Sequence, residues 1–156
     1  MGATSTSSVT VVLRRADESD LPYVERLLSD EELPSADVRS SPARFYVGYD
    51  GDERIGIGGL ERYGTDGLLR SIVVERSARG NGYGAALCAA LERRARAAGV
   101  ETLYLLTTTA AEFFATRGYE YVERADAPPA IRETAEFDDL CPASAACLRT
   151  SVLEGA

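Results

Sequence analysis

Six consecutive residues, Arg79-Gly80-Asn81-Gly82-Tyr83-Gly84, have the composition of an anion cradle. They follow the apolar run Leu68 to Val74 and lead straight into Ala85-Ala86-Leu87-Cys88-Ala89-Ala90-Leu91, so glycines gather where a strand is expected to become a helix. Glycine lets the main chain approach a ligand closely and adopt positive φ. The first amides of a helix have no intrahelical acceptor and, with the helix dipole, favour negative charge. A phosphate-bearing cofactor suits this chemistry. Two common phosphate-binding patterns do not fit. A P-loop needs a Lys after its last Gly, and this chain has no Lys. A dinucleotide fingerprint should open the first βαβ unit and reach an acidic residue about 20 positions later on a second strand.

Other side chains narrow the chemistry further. The absence of histidine excludes His-based triads, His metal ligands and a His general base. Cys88, Cys141 and Cys147 are too few and too scattered for a zinc site, and their odd number argues against a disulfide framework. Cys88 reads as a buried thiol, whereas Cys141 and Cys147 flank a Pro-Ala-Ser turn and could lie near each other or near a pocket. No metal is expected. With 25 acidic and 17 basic residues the net charge is −8, which repels nucleic acid and anionic membrane surfaces. Neither is expected as a partner.

At 156 residues, 45% of them hydrophobic, the chain is long enough to bury a core as a single domain. Residues 1–8 read as a disordered Ser/Thr-rich segment and 9–156 as the domain. No apolar run reaches the ~20 residues of a membrane span, and the polar start lacks signal-peptide regions. A cytoplasmic protein is expected.

The spelling Arg79-x-x-Gly82-x-Gly84, with a strand before it and an Ala-rich helix after it, resembles the signature of the GCN5-related N-acetyltransferases (GNAT). The resemblance covers essentially the whole chain and is strongest from Leu68 to Tyr119. It implies an α+β fold with a central mixed parallel/antiparallel sheet flanked by helices. It also implies an enzyme that moves an acetyl group from acetyl-CoA to the amine of a small-molecule acceptor. Homodimers are common in the family.

The elements that must position the cradle follow from hydrophobic spacing. Val9 to Arg15 reads as a strand, and Leu21, Val24, Leu27 and Leu28 repeat at helical spacing behind the capping residues Asp17, Ser19 and Asp20. Pro22 is tolerated in a first turn. From Ser29 to Pro42 the spacing predicts a loop or short helix. Strands are predicted over Phe45–Tyr49, Arg54–Tyr63 and Leu68–Val74, joined by turns at 50–53 and 64–67. Gly56, Gly58 and Gly59 mark a bulge or a close backbone approach. The helix behind the cradle spans 82–98, with Tyr83, Leu87, Ala90, Leu91 and Ala98 on its core face and Arg93, Arg94 and Arg96 toward water. Gly99 caps it. Thr102 to Thr107 should then run parallel to Leu68–Val74. A short helix over 110–117, a strand over 119–124, helical turns over 130–140 and a last strand over 145–152 complete the order.

By resemblance, the amides of Arg79, Gly80, Asn81, Gly82, Tyr83, Gly84 and Ala85 hold the pyrophosphate of acetyl-CoA. Ile72, Val73 and Val74 pair with the pantetheine arm, and the Val73 amide donates to the acetyl oxygen. Thr107, opening Thr107-Thr108-Thr109, stands where the family has a cofactor-contacting Asn, although these threonines would also serve as a helix cap. Counting back from Gly118-Tyr119, the family's Tyr that protonates the leaving thiolate is here Phe114, a departure. Glu61 is a candidate general base that could equally form a cross-strand ion pair with Arg70. Arg70 could instead bind an acceptor carboxylate. Glu112 is the other acceptor-side candidate. The run 105–114 with Gly118-Tyr119 looks like amino-acid acetyltransferases, including the glutamate type. Ala130 to Thr134, Glu136-Phe137 and Leu140 to Ala145 resemble arsenic-resistance acetyltransferases. An amino acid or glutamate-like, even arsenical, acceptor is implied; a non-catalytic acyl-CoA sensor and an acetyltransferase for protein amines are the alternatives.

Overall fold

A computed structural model describes residues 10–33, 35, 38, 39, 43–134, 137 and 145–152. The expectations for residues 1–8, for Val9 as part of the first strand, for Glu136 and for Cys141 fall outside them.

Strand β1 (Val12–Arg15) is followed by a capping box in which Asp17 accepts from the Ser19 amide at 3.0 Å and Asp20 accepts from the Asp17 amide at 3.0 Å. Helix α1 (Leu21–Asp30) then carries Pro22 in its first turn and buries Tyr23, Val24, Leu27 and Leu28, as the 3.6-residue spacing requires. Strands β2 (Arg44–Asp50), β3 (Glu53–Tyr63) and β4 (Asp66–Val74) come next, then helix α2 (Tyr83–Ala97) and strand β5 (Thr102–Thr107). The chain ends through α3 (Ala111–Thr116), β6 (Glu120–Val122), α4 (Pro129–Arg132) and β7 (Ala146–Ser151).

The strands form one seven-stranded sheet in the order β1-β2-β3-β4-β5-β7-β6. β4 and β5 are parallel, as a strand-helix-strand connection demands, while β1/β2, β5/β7 and β6/β7 are antiparallel. The expected mixed sheet with flanking helices is therefore the observed fold. Register between β4 and β5 runs from Asp66↔Thr102 only to Leu68↔Tyr104, although both strands continue.

Two compact units share the chain: residues 1–59 with 71–93, and residues 60–70 with 94–156. In the first, Tyr23, Val24, Leu27 and Leu28 pack with Phe45, Val47, Ile57 and Val73. Its glycines in β3 serve close approach: a Cβ at Gly56 would stand 2.4 Å from the Val73 carbonyl oxygen, and one at Gly58 would stand 2.4 Å from Leu91. In the second, Leu68, Tyr104, Leu106, Ile131, Phe137 and Cys147 form the core.

Several details differ from the sequence expectation. The core face of α2 is Leu87, Cys88, Ala90, Leu91 and Ala95; Ala98 is exposed because the helix ends at Ala97. Arg94 and Arg96 are half-buried rather than turned to water, and Arg96 Nη1 donates to the Val152 carbonyl at 3.4 Å. β6 stops at Val122, since residues 124–126 take a tight 3-10 turn. Among the described residues, no helix is long and apolar enough to cross a membrane, and no group of three or more Cys, Asp or Glu could hold a metal.

Candidate functional site

The predicted cradle is built at the junction the sequence marks. Glu75 follows β4, residues 76–78 make a 3-10 turn, and α2 begins at Tyr83. Between them Gly80 and Gly82 take φ of +84° and +83°, a left-handed conformation that costs a side chain about 1–2 kcal/mol. Asn81 fixes the shape of the turn, its amide nitrogen donating to the Ala78 and Arg79 carbonyls at 3.0 and 3.3 Å. The first bond of the helix is Ala86 N–H to the Gly82 carbonyl at 3.2 Å, so the amides of Tyr83, Gly84 and Ala85 precede the helical ladder. Tyr83 is tied down by donating its hydroxyl to Asp50, an interaction that also raises the phenol's pKa. Gly80, Asn81, Gly82 and Ala85 are exposed, and Tyr83 and Gly84 half-buried, so an anion can reach the amides. These residues fit a diphosphate.

Upstream, Ser71 has φ of +61°, which is unusual for a residue with a side chain. Such strain costs on the order of 1–3 kcal/mol and collects at functional sites. Beyond it the strand direction can be read from one bond: the Glu75 amide donates to the Ile55 carbonyl of β3 at 2.9 Å. Main-chain groups alternate between the two edges of a strand. Val73 therefore points its amide toward β3 with Glu75, whereas Ile72 and Val74 direct theirs to the opposite edge. Val74 shows this, because its carbonyl accepts from Arg79 Nε at 3.0 Å. Arg79 also reaches Glu31 at 3.0 Å, and Arg76 reaches the same carboxylate at 2.9 Å. Those bonds hold Glu31 below the usual carboxylate range, the Arg76 contact contributing most. On the other side of Glu75, its carboxylate accepts from the Tyr23 hydroxyl at 2.7 Å, and burial raises the Tyr23 pKa.

The remaining candidates lie in the second unit. Glu61 and Arg70 meet at 3.1 Å with side chains 3% and 0% exposed, the cross-strand pair the turn at 64–67 suggested. Arg70 occupies one Glu61 oxygen and the Tyr63 hydroxyl donates to the other. Burial first, then that bond, raises the Tyr63 pKa. Thr107 Oγ1 accepts from the Thr109 and Ala110 amides at 3.3 and 3.0 Å, so it caps the turn before α3 and keeps its own proton to donate. Glu112 is exposed in the first turn of α3. Phe114 is buried, edge-on to Phe113 and Tyr119 with centroids 5.1 and 5.2 Å away, and offers no proton. Burial pushes the Cys147 thiol up to about 11.

Sequence reasoning did not foresee Glu31, Arg76, Ser71 or Tyr63. Only Tyr63 carried a local signal, since it lies two residues from Glu61 on the same face of a strand.

The sequence model of the acetyltransferase (GNAT) family matches residues 12–120. Among solved structures, N-acetylglutamate synthase from Neisseria gonorrhoeae, complexed with coenzyme A and N-acetyl-glutamate, is similar at TM-score 0.77 and 22% identity. The match covers 94% of this chain and 36% of the synthase chain, so this chain spans little more than a third of that relative. A Mycobacterium tuberculosis protein in complex with CoA gives TM-score 0.74 at 23% identity, over 91% of this chain and 99% of its own. An aminoglycoside 6′-N-acetyltransferase complexed with coenzyme A gives 0.65 at 19%, over 91% and 97%. At these identities the likeness is one of fold.

Proposed function

The chain belongs to the acetyltransferase (GNAT) family, and on that premise we propose that it transfers an acetyl group from acetyl-CoA to the amine of an amino acid or a glutamate-like compound. The observation that carries this reading is the cradle, in which the amides of Tyr83, Gly84 and Ala85 open α2 behind Gly80 and Gly82 at positive φ.

On this reading the amides from Gly80 to Ala85 hold the diphosphate. Ile72 and Val74, whose main chain faces away from β3, take the pantetheine arm as an added strand. The donor to the acetyl oxygen is then Ile72, not Val73, because the Val73 amide shares the direction of Glu75 toward β3. An amide aimed at the developing oxyanion stabilises charge as the acceptor nitrogen attacks the thioester carbonyl. Glu61 is the candidate to take up the amine proton, although Arg70 and the Tyr63 hydroxyl, one on each of its oxygens, stabilise the ionised carboxylate and oppose that step. Phe114 cannot protonate the departing thiolate, so CoA leaves as the thiolate or takes its proton from water or from another group. Thr107 and Glu112 are retained as cofactor-side and acceptor-side contacts.

The run 105–114, similar to amino-acid acetyltransferases, supports an amino-acid acceptor, and the synthase solved with N-acetyl-glutamate makes glutamate the first compound to test. Release of free CoA is measured across amino acids, glutamate analogues including arsenicals, and peptides. Turnover with free amino acids is expected. Turnover with peptides alone, or tight CoA binding with no turnover on the whole panel, would refute the acceptor assignment.

A further inference from the structure

A single carboxylate oxygen, Oε2 of Glu31, accepts from Arg76 Nε at 2.9 Å and from Arg79 Nη2 at 3.0 Å. Glu31 is the C-cap residue of α1, and the two arginines belong to the connection from β4 to the cradle. Each guanidinium also has an anchor of its own: Arg76 Nη2 donates to the Asp30 carbonyl at 3.2 Å, and Arg79 Nε to the Val74 carbonyl at 3.0 Å. The main chain therefore holds two cations side by side.

Two like charges sharing one oxygen repel each other unless an anion lies between them. A carboxylate brings one charge to that position. A phosphate group brings one to two charges and more acceptor oxygens, and it matches the forked donors of arginine. Access is open, with side chains 70% exposed for Arg76, 45% for Arg79 and 25% for Glu31. The setting also calls for local positive charge, because a net charge of −8 opposes the approach of any anionic cofactor.

We propose that Arg76 and Arg79 form a side-chain anion site beside the cradle, made for a phosphate group of acyl-CoA, and that Glu31 fills this site in the free protein as an internal stand-in. The proposal rests on the reading of the cradle as the CoA loop. On binding, the ligand phosphate takes over the two guanidiniums and the Glu31 carboxylate turns into solvent. Glu31 is thus a built-in competitor, and Arg76 a binding residue outside the glycine motif.

Titration calorimetry on the full chain, Glu31→Gln and Arg76→Gln, with CoA and with 3′-dephospho-CoA, tests it. Glu31→Gln should bind CoA about threefold more tightly and Arg76→Gln about threefold more weakly, the scale of an exposed charge pair. If the shifts persist with 3′-dephospho-CoA, the phosphate concerned belongs to the diphosphate; if they vanish, it is the 3′-phosphate. A Glu31→Gln protein that binds CoA no better than the parent overturns the proposal, as does an Arg76→Gln protein that binds no worse. A parent chain that does not bind CoA at all overturns the cradle reading, and this proposal with it.

Discussion

Glu61 and Arg70 show how far residue-level reasoning carries. Their places on either side of a short turn were enough to anticipate an ion pair, and they meet at 3.1 Å with almost no exposure. Removing one member of a buried pair leaves the other uncompensated. Glu61→Gln is therefore expected to lower stability by about 3–5 kcal/mol in urea unfolding, while replacing both with apolar residues of similar volume should cost far less. A similar loss in both variants would mean that the pair itself holds the strands together. Cys147 gives a second expectation. Its buried thiol keeps the proton to about 11, against 9.0 for an ordinary thiol. The folded pKa is the higher one, so this group's contribution to stability is complete below pH 9 and is lost as the pH climbs toward 11. Comparing the urea midpoints of parent and Cys147→Val between pH 8 and 11 checks this: the parent should fall more steeply. The thiol was visible in the sequence, but its burial was not, because Cys147 joins a core drawn from Leu68, Tyr104 and Ile131, residues distant from it along the chain.

At the level of elements, spacing alone located α1, β2, β3, β5 and β7 to within about two residues, since amphipathic periodicity and turn glycines are local properties. The cradle was equally legible. The close packing of β3 was legible only as a cluster of glycines, and its reason is the 2.4 Å that a Gly56 Cβ would leave to the Val73 carbonyl oxygen. Gly56→Ala must push β3 and β4 apart, so a loss of about 1–3 kcal/mol is expected, with weaker CoA binding because Val73 lies between Ile72 and Val74, the residues proposed to take the pantetheine arm. Unchanged stability and affinity would show that the strands yield without cost. Asn81→Ala separates the shape of the loop from stability. Without the bonds to the Ala78 and Arg79 carbonyls the cradle loosens, so calorimetry should show weaker CoA binding while the thermal midpoint stays within about one degree.

For the whole molecule the matter is how ligand binding is distributed. Saturation with CoA at about 100 times its dissociation constant should raise unfolding stability by about 2.7 kcal/mol. Hydrogen exchange should slow most at the amides of Ile72, Val74 and 80–85; protection confined to residues 94–152 would refute the placement of the cofactor. By itself the sequence determined the succession of strands and helices, the glycine turn before α2 and the family, because each is written in the spacing of near neighbours along the chain. Only the tertiary structure decided that Ile72 and Val74, not Val73, face away from β3, that Tyr63 and Arg70 hold both oxygens of Glu61, and that Glu31 meets Arg76 and Arg79 from 45 and 48 positions away. The physical reason is that strand direction and long-range ion pairs depend on how separate elements are brought together, and local spacing carries no record of that.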